Sequence, residues 1–112
     1  MHGFQIELKE KGRKININTF DIYYLEAQGN YIKLHLENKT HLLRETLHGI
    51  KKSLDKAVFL QIHRSTLVNC NYIENIRYAG NNQYTIHLKN KIKLQSSRSY
   101  KEDVQVYMES EA

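Results

Sequence analysis

Tyr31-Ile32-Lys33-Leu34-His35-Leu36 alternates apolar and polar residues without a break, so Ile32, Leu34 and Leu36 share one face of an extended strand and Tyr31, Lys33 and His35 the other. The same period of two recurs outward in both directions, at Ile6 and Leu8, Ile15 and Ile17, Tyr84, Ile86 and Leu88, and Ile92 and Leu94. Turn chemistry separates the runs at Lys11-Gly12, Gln28-Gly29-Asn30, Asn38-Lys39, Ala79-Gly80-Asn81-Asn82 and Lys89-Asn90. The chain reads as successive hairpins in a mostly β domain whose thin sheets each keep one wet face.

Two stretches depart from that period. With Thr46 as N-cap, Leu47, Ile50 and Leu54 form one helical stripe, interrupted by the poor helix former Gly49; this predicts a short helix crossing between sheets. Ser99 stands three residues before Glu102, the spacing of a capping box, and Tyr100, Val104, Tyr107 and Met108 follow on one stripe. They predict a C-terminal helix starting near Tyr100.

A length of 112 residues suits one domain and excludes a two-domain enzyme. Cys70 is the only cysteine, so no disulfide framework forms within the chain, and a reducing cytoplasmic compartment is expected, with Cys70 as a small buried hydrophobe. No apolar run approaches the roughly 20 residues that cross a bilayer, and residues 1–11 lack the apolar middle of a signal peptide. The formal charge of +5 conceals an asymmetry: Glu102, Asp103, Glu109 and Glu111 fall in a C-terminal stretch without Lys or Arg. Residues 1–101 therefore carry 17 positive against 8 negative charges, which fits a polyanionic partner, nucleic acid first.

Enzyme signatures are missing: there is no Gly-rich phosphate loop, no HExxH and no CxxC. His35, His41, His63, His87 and Cys70 do not stand at metal-ligand spacing and most of the histidines read as strand-surface residues, so neither catalysis nor a metal or other cofactor is expected. Three polar clusters remain. Phe59-Leu60-Gln61-Ile62-His63-Arg64-Ser65-Thr66-Leu67-Val68-Asn69 concentrates an imidazole, a guanidinium and two hydroxyls between apolar anchors, as in a rigid loop presenting donors to phosphates and base edges. The blander reading has His63 capping a neighbouring backbone group and Arg64 pairing with a carboxylate. Gln95-Ser96-Ser97-Arg98-Ser99 precedes the C-terminal helix, where free N–H groups and the helix dipole favour an anion; alternatively Ser99 merely caps and Arg98 is solvated. Gln28-Gly29-Asn30-Tyr31 follows a tight turn with an amide suited to adenine, or is simply a hairpin turn.

In order and spacing these segments resemble the LytTR DNA-binding domain of bacterial transcriptional regulators. The resemblance rests on the stretch from Ile22 to Tyr31, the run from Phe59 to Asn69, Ile73-Glu74-Asn75-Ile76 and Ser97-Arg98-Ser99-Tyr100, and covers about residues 4–108. It implies an elongated fold of three antiparallel sheets with one short intervening helix and a C-terminal helix. It also implies that DNA is read by loops in successive major grooves of direct-repeat sites. By the same resemblance Asn30, Arg64 and Arg98 contact bases, while Lys33, His63, Ser65, Thr66 and Ser97 contact phosphates. Relatives commonly carry an N-terminal receiver domain of a two-component response regulator, which would belong to the full-length protein if this chain is a fragment. Residues 1–3 would then be a cloning remnant and residues 109–112 an acidic tail, and the isolated domain would be monomeric, with no membrane partner. The competing expectation is a β-rich interaction module that engages an acidic protein through its strand edges or basic face.

Overall fold

The structure, a computed structural model, describes residues 4–111. Met1-His2-Gly3, the supposed cloning remnant, and Ala112 at the end of the acidic segment lie outside the described residues. The described residues form ten strands in three antiparallel sheets within an envelope of 45 × 33 × 25 Å. Strands β1 (Gln5–Glu10) and β2 (Arg13–Asn18) make a two-stranded sheet. A five-stranded sheet in the order β5-β4-β3-β7-β6 joins β3 (Tyr24–Gln28), β4 (Tyr31–His35), β5 (Thr40–Leu43), β6 (Phe59–His63) and β7 (Thr66–Asn69). The third sheet, β10-β9-β8, comprises β8 (Ile73–Gly80), β9 (Gln83–Leu88) and β10 (Lys93–Gln95).

The five-stranded sheet is the middle layer. Leu25, Ile32, Leu34 and Leu67 line one of its faces and pack with Ile6, Leu8 and Ile17 of the first hairpin and with Leu47, Ile50 and Leu54. Tyr24, Ile62 and Val68 pack on the other side against Tyr84, Ile86 and Leu88 of the third sheet and Val104 of the terminal helix. The expectation of one wet face per sheet holds for β4, with Tyr31 exposed, but fails for β7, where Leu67, Val68 and Asn69 are all buried. Strands covered on both faces lose the alternation that a half-buried strand shows. Likewise Ile92 lies before β10 and is exposed rather than sharing a strand face with Leu94.

Thr46 caps the predicted short helix, its Oγ1 accepting the Gly49 N–H at 2.9 Å, but the helix links the two edge strands of the five-stranded sheet and does not cross between sheets. Helix α1 (Leu47–Ile50) is one turn, continued by a 3-10 turn at Lys51–Ser53, and Leu47, Ile50 and Leu54 are buried as their spacing implies. A Cβ at position 49 would meet the Glu45 carboxylate at 2.5 Å, a contact that the exposed Glu45 side chain can relieve by swinging away, so the site favours glycine without demanding it. The capping box at Ser99 and Glu102 does not form. Ser99 lies inside a 3-10 turn, Arg98–Tyr100, and α2 (Lys101–Ser110) follows Tyr100 without a side-chain cap. Gln105 nonetheless fixes α2 to β9 through the Tyr84 hydroxyl at 3.0 Å.

Two polar side chains serve the fold, and one of them, His41, departs from the strand-surface position expected for most of the histidines. His41 is buried and its Nδ1 is hydrogen-bonded to the Glu10 carboxylate, tying β5 to the first hairpin. Asn69, fully buried, donates to the Ile22 and Phe20 carbonyls at 2.9 and 3.3 Å and accepts the Asn71 N–H at 2.9 Å. It bolts β7 to the segment entering β3 and satisfies the buried Ile22 carbonyl, while the Phe20 carbonyl also accepts from the Tyr72 hydroxyl at 3.1 Å. Cys70 is half-buried in a 3-10 turn, and burial pushes its thiol up to about 11. Among the described residues no helix is long and apolar enough to cross a membrane.

Candidate nucleic-acid interface

Gln28 and Tyr31 pair across a two-residue turn in which Gly29 takes a φ of +61°, the left-handed first position that this tight hairpin demands. Asn30 is thereby exposed at the tip. The run from Phe59 to Asn69 is a hairpin, β6 and β7, whose loop is only Arg64 and Ser65, and not the longer rigid loop suggested by its composition. Neither loop residue has a positive φ, and a bulge between Gln61 and His63 supplies the extra twist.

The two turns emerge from the same end of the sheet because β3 and β7 are neighbours, with Glu26 opposite Thr66. Just beyond that pair the Ala27 N–H donates to the Ser65 carbonyl at 2.8 Å, stitching one turn to the other. At a strand spacing of about 4.8 Å, turns centred on adjacent hairpins lie about 10 Å apart, within the width of a DNA major groove. The third cluster is tied to the same end: the Ser97 N–H donates to the Ile62 carbonyl at 2.9 Å, and the buried Ser96 hydroxyl accepts the Tyr84 N–H at 2.9 Å. Arg98, exposed, opens the 3-10 turn immediately after. Asn30, Arg64 and Arg98 therefore sit on three turns gathered at one end of the molecule.

Registers sort the remaining residues. His63, Thr66, Glu26, Lys33 and Leu42 are consecutive cross-strand partners, forming one row across the five strands. Lys33, His63 and Thr66 thus share a row set back from the tips. Glu26, also in that row, had not been singled out by the sequence; it is the row's one carboxylate and accepts from His35 Nε2 at 2.8 Å. His35 in turn stacks on Tyr24 with ring centroids 4.1 Å apart. Burial, and secondarily the Glu26 charge, raise the Tyr24 phenol.

His63 partly follows the blander reading. Its Nδ1 accepts the Ser65 N–H at 3.1 Å and lies 2.9 Å from Ser65 Oγ. A backbone N–H can only donate, so in this geometry the neutral ring carries its proton on Nε2. Arg64, in contrast, has no ion pair among the described residues. At the second cluster the helix-terminus argument needs correction. The first turn of α2 carries Glu102 and Asp103, which already occupy the positive end of its dipole, while Arg98 lies in the preceding 3-10 turn and Ser97 just before it. Arg44, exposed just past β5 at the same end, was also missed, since its short strand gives little periodic signal. Among the described residues no three His, Cys, Asp or Glu side chains cluster as metal ligands do.

The family model of the LytTr DNA-binding domain matches residues 12–109. The chain belongs to the LytTR DNA-binding domain family. It is 31% identical over 99 residues to the sensory transduction protein LytR of Staphylococcus epidermidis, covering 88% of this chain and 38% of that protein. It is 28% identical over 88 residues to the sensory transduction protein LytT of Bacillus subtilis, covering 79% and 36% respectively. The LytTR chain thus spans under two fifths of the length of these two relatives. Among solved structures it is similar to the LytTr DNA-binding domain of a protein described as a methyl-accepting/DNA response regulator from Bacillus cereus. That similarity has a TM-score of 0.77 and 26% identity, covering 86% of this chain and 88% of that one. The agreement extends to the three-sheet architecture foreseen from the motifs.

Proposed function

We propose that this LytTR chain is the sequence-specific, double-stranded DNA-binding effector domain of a bacterial response regulator, acting in the cytoplasm without chemistry of its own. The carrying observation is the gathering of three turns, those of Asn30, Arg64 and Arg98, at one end of the sheet through the Ala27–Ser65 and Ser97–Ile62 hydrogen bonds. In this reading the three side chains meet base edges in successive major grooves. Lys33, His63, Ser65, Thr66 and Ser97 hold phosphates, with His63 donating from Nε2. Charge-driven phosphate contacts supply affinity on any sequence, and the tips supply discrimination.

Residues 4–108 form the module, monomeric when isolated. In a longer protein a receiver domain would bring two copies to a direct-repeat site, where their contacts add. The test is selection of duplexes from a random pool, followed by titration of Arg64→Ala and Arg98→Ala. Each substitution should cost about 1 to 3 kcal/mol on the selected duplex and much less on a scrambled one. Equal losses on both would reduce the two arginines to charge donors. Failure to select any duplex, with binding to an acidic protein instead, would replace this reading with the interaction-module one.

A further inference from the structure

A cleft of about 700 Å³ opens between the Lys51–Ser53 turn and the edge strand β6, on the sheet face that carries the first hairpin. Leu54, Phe59 and Leu67 form its floor, and Lys51, Lys52 and Lys56 form its rim, with His48 beside them. The rim charge is uncompensated. Among the described residues, the carboxylate ion pairs are those of Lys14, His35 and His41, none of them here. The Lys51 ammonium rests instead on the neutral Gln61 amide oxygen. Asp55, the one carboxylate in this stretch, is engaged by the Ala57 N–H at 2.9 Å.

Size and lining point to one class of ligand. The volume falls in the range of small-molecule sites, about 300 to 1,000 Å³, and is too narrow for a duplex to enter. Leu54, Phe59 and Leu67 are themselves largely buried, so the apolar lining is their outer edges together with the methylene stems of the three lysines. A nucleic-acid backbone or an inorganic ion, charged and hydrated throughout, would leave that lining uncovered. We propose that the cleft binds a small amphiphilic anion, with a phosphate, sulfate or carboxylate head among the three lysines and a short alkyl or aromatic body against the apolar floor.

Occupancy would be felt at the reading turn, an extension that rests on the DNA-binding role proposed above. Gln61 accepts from Lys51 through Oε1 and donates from Nε2 to the His63 carbonyl at 3.2 Å. A head group drawing Lys51 away releases that amide and with it a support of the Arg64 turn.

The test is an amide chemical-shift titration of the whole chain with octyl phosphate, octyl glucoside and inorganic phosphate. Octyl phosphate should bind saturably with Kd of about 1 mM or tighter, shifting Lys51, Leu54, Gln61 and Leu67. Octyl glucoside and inorganic phosphate should each bind at least about tenfold more weakly, because each satisfies only half of the site. The exposed pair Lys52→Gln and Lys56→Gln should weaken octyl phosphate about fivefold or more without altering thermal stability. Equal binding of octyl glucoside, shifts scattered away from the cleft, or indifference to the double substitution would overturn the proposal. So would absence of octyl phosphate binding while duplex DNA shifts these same lysines, an outcome that would make the rim a phosphate contact. None of these outcomes depends on whether Arg64 and Arg98 discriminate between duplexes.

Discussion

Glu26→Gln should tighten DNA binding, the reverse of what most substitutions at an interface do. Glu26 stands between Lys33 on β4 and Thr66 on β7 in the row that ends at His63. Neighbouring strands lie about 4.8 Å apart, so a phosphate held between Lys33 and Thr66 sits about 7 Å from the carboxylate. At that distance the repulsion is about 0.5 to 1 kcal/mol for an effective dielectric of about 40 to 80. Glutamine keeps an oxygen to accept from His35 Nε2, so the local bonding survives while the charge goes. Fluorescence anisotropy should show affinity rising about two- to fivefold on selected and scrambled duplexes alike, since phosphates carry no sequence information. The gain should shrink as salt is raised. Unchanged or weaker binding, with thermal stability preserved, would refute the reasoning by showing that this row does not face the duplex.

Lys33→Ala should lower the slope of log affinity against log salt by about one unit without changing sequence preference; an unchanged slope removes Lys33 from the phosphate contacts. Asn69→Ala loses three hydrogen bonds but leaves only the Ile22 carbonyl fully buried, so it should cost about 2 to 3 kcal/mol in urea unfolding, with duplex preference intact below the transition. A loss under about 0.5 kcal/mol would mean that water replaces the amide. Alkali should destabilise the fold. Burial raises the Cys70 thiol to about 11 and the Tyr107 hydroxyl to about 12, so the native state holds protons that the unfolded chain releases. This contribution is complete below the unfolded values of about 8.5 to 10 and disappears as pH climbs through 11 to 12. A urea midpoint flat from pH 8 to pH 12 would contradict it.

Strands with one solvated face were legible because the pleat writes itself into the sequence, as at Ile32, Leu34 and Leu36. Thr46 was legible because its hydroxyl has a local partner three residues on. What escaped depends on partners distant in the chain. Val68 and Asn69 are buried through the third sheet and the Phe20–Ile22 segment, and His41 through Glu10, none of which a local window contains. Ser99 and Glu102 carry a capping signature that the chain does not use, because the β6 tie at Ser97 forces a 3-10 turn first.

The candidate site divides in the same way. Each tip announced itself through local chemistry, with Gly29 permitting the turn and Arg64 and Arg98 set among hydroxyls. Their assembly came from the pairing of β3 with β7, two strands about forty residues apart, which no periodicity encodes. Only the family resemblance carried that information. Glu26 was overlooked because its importance lies in the row and not in its own strand.

Amide chemical-shift mapping of the chain on a selected duplex tests the convergence of the three tips most directly. The largest changes should fall on Asn30, Arg64 and Arg98 and their adjoining turns. The opposite end of the molecule, the turns at residues 37–39 and 89–91, should remain silent. Changes concentrated at that opposite end, or confined to one tip while the other two stay still, would contradict the account.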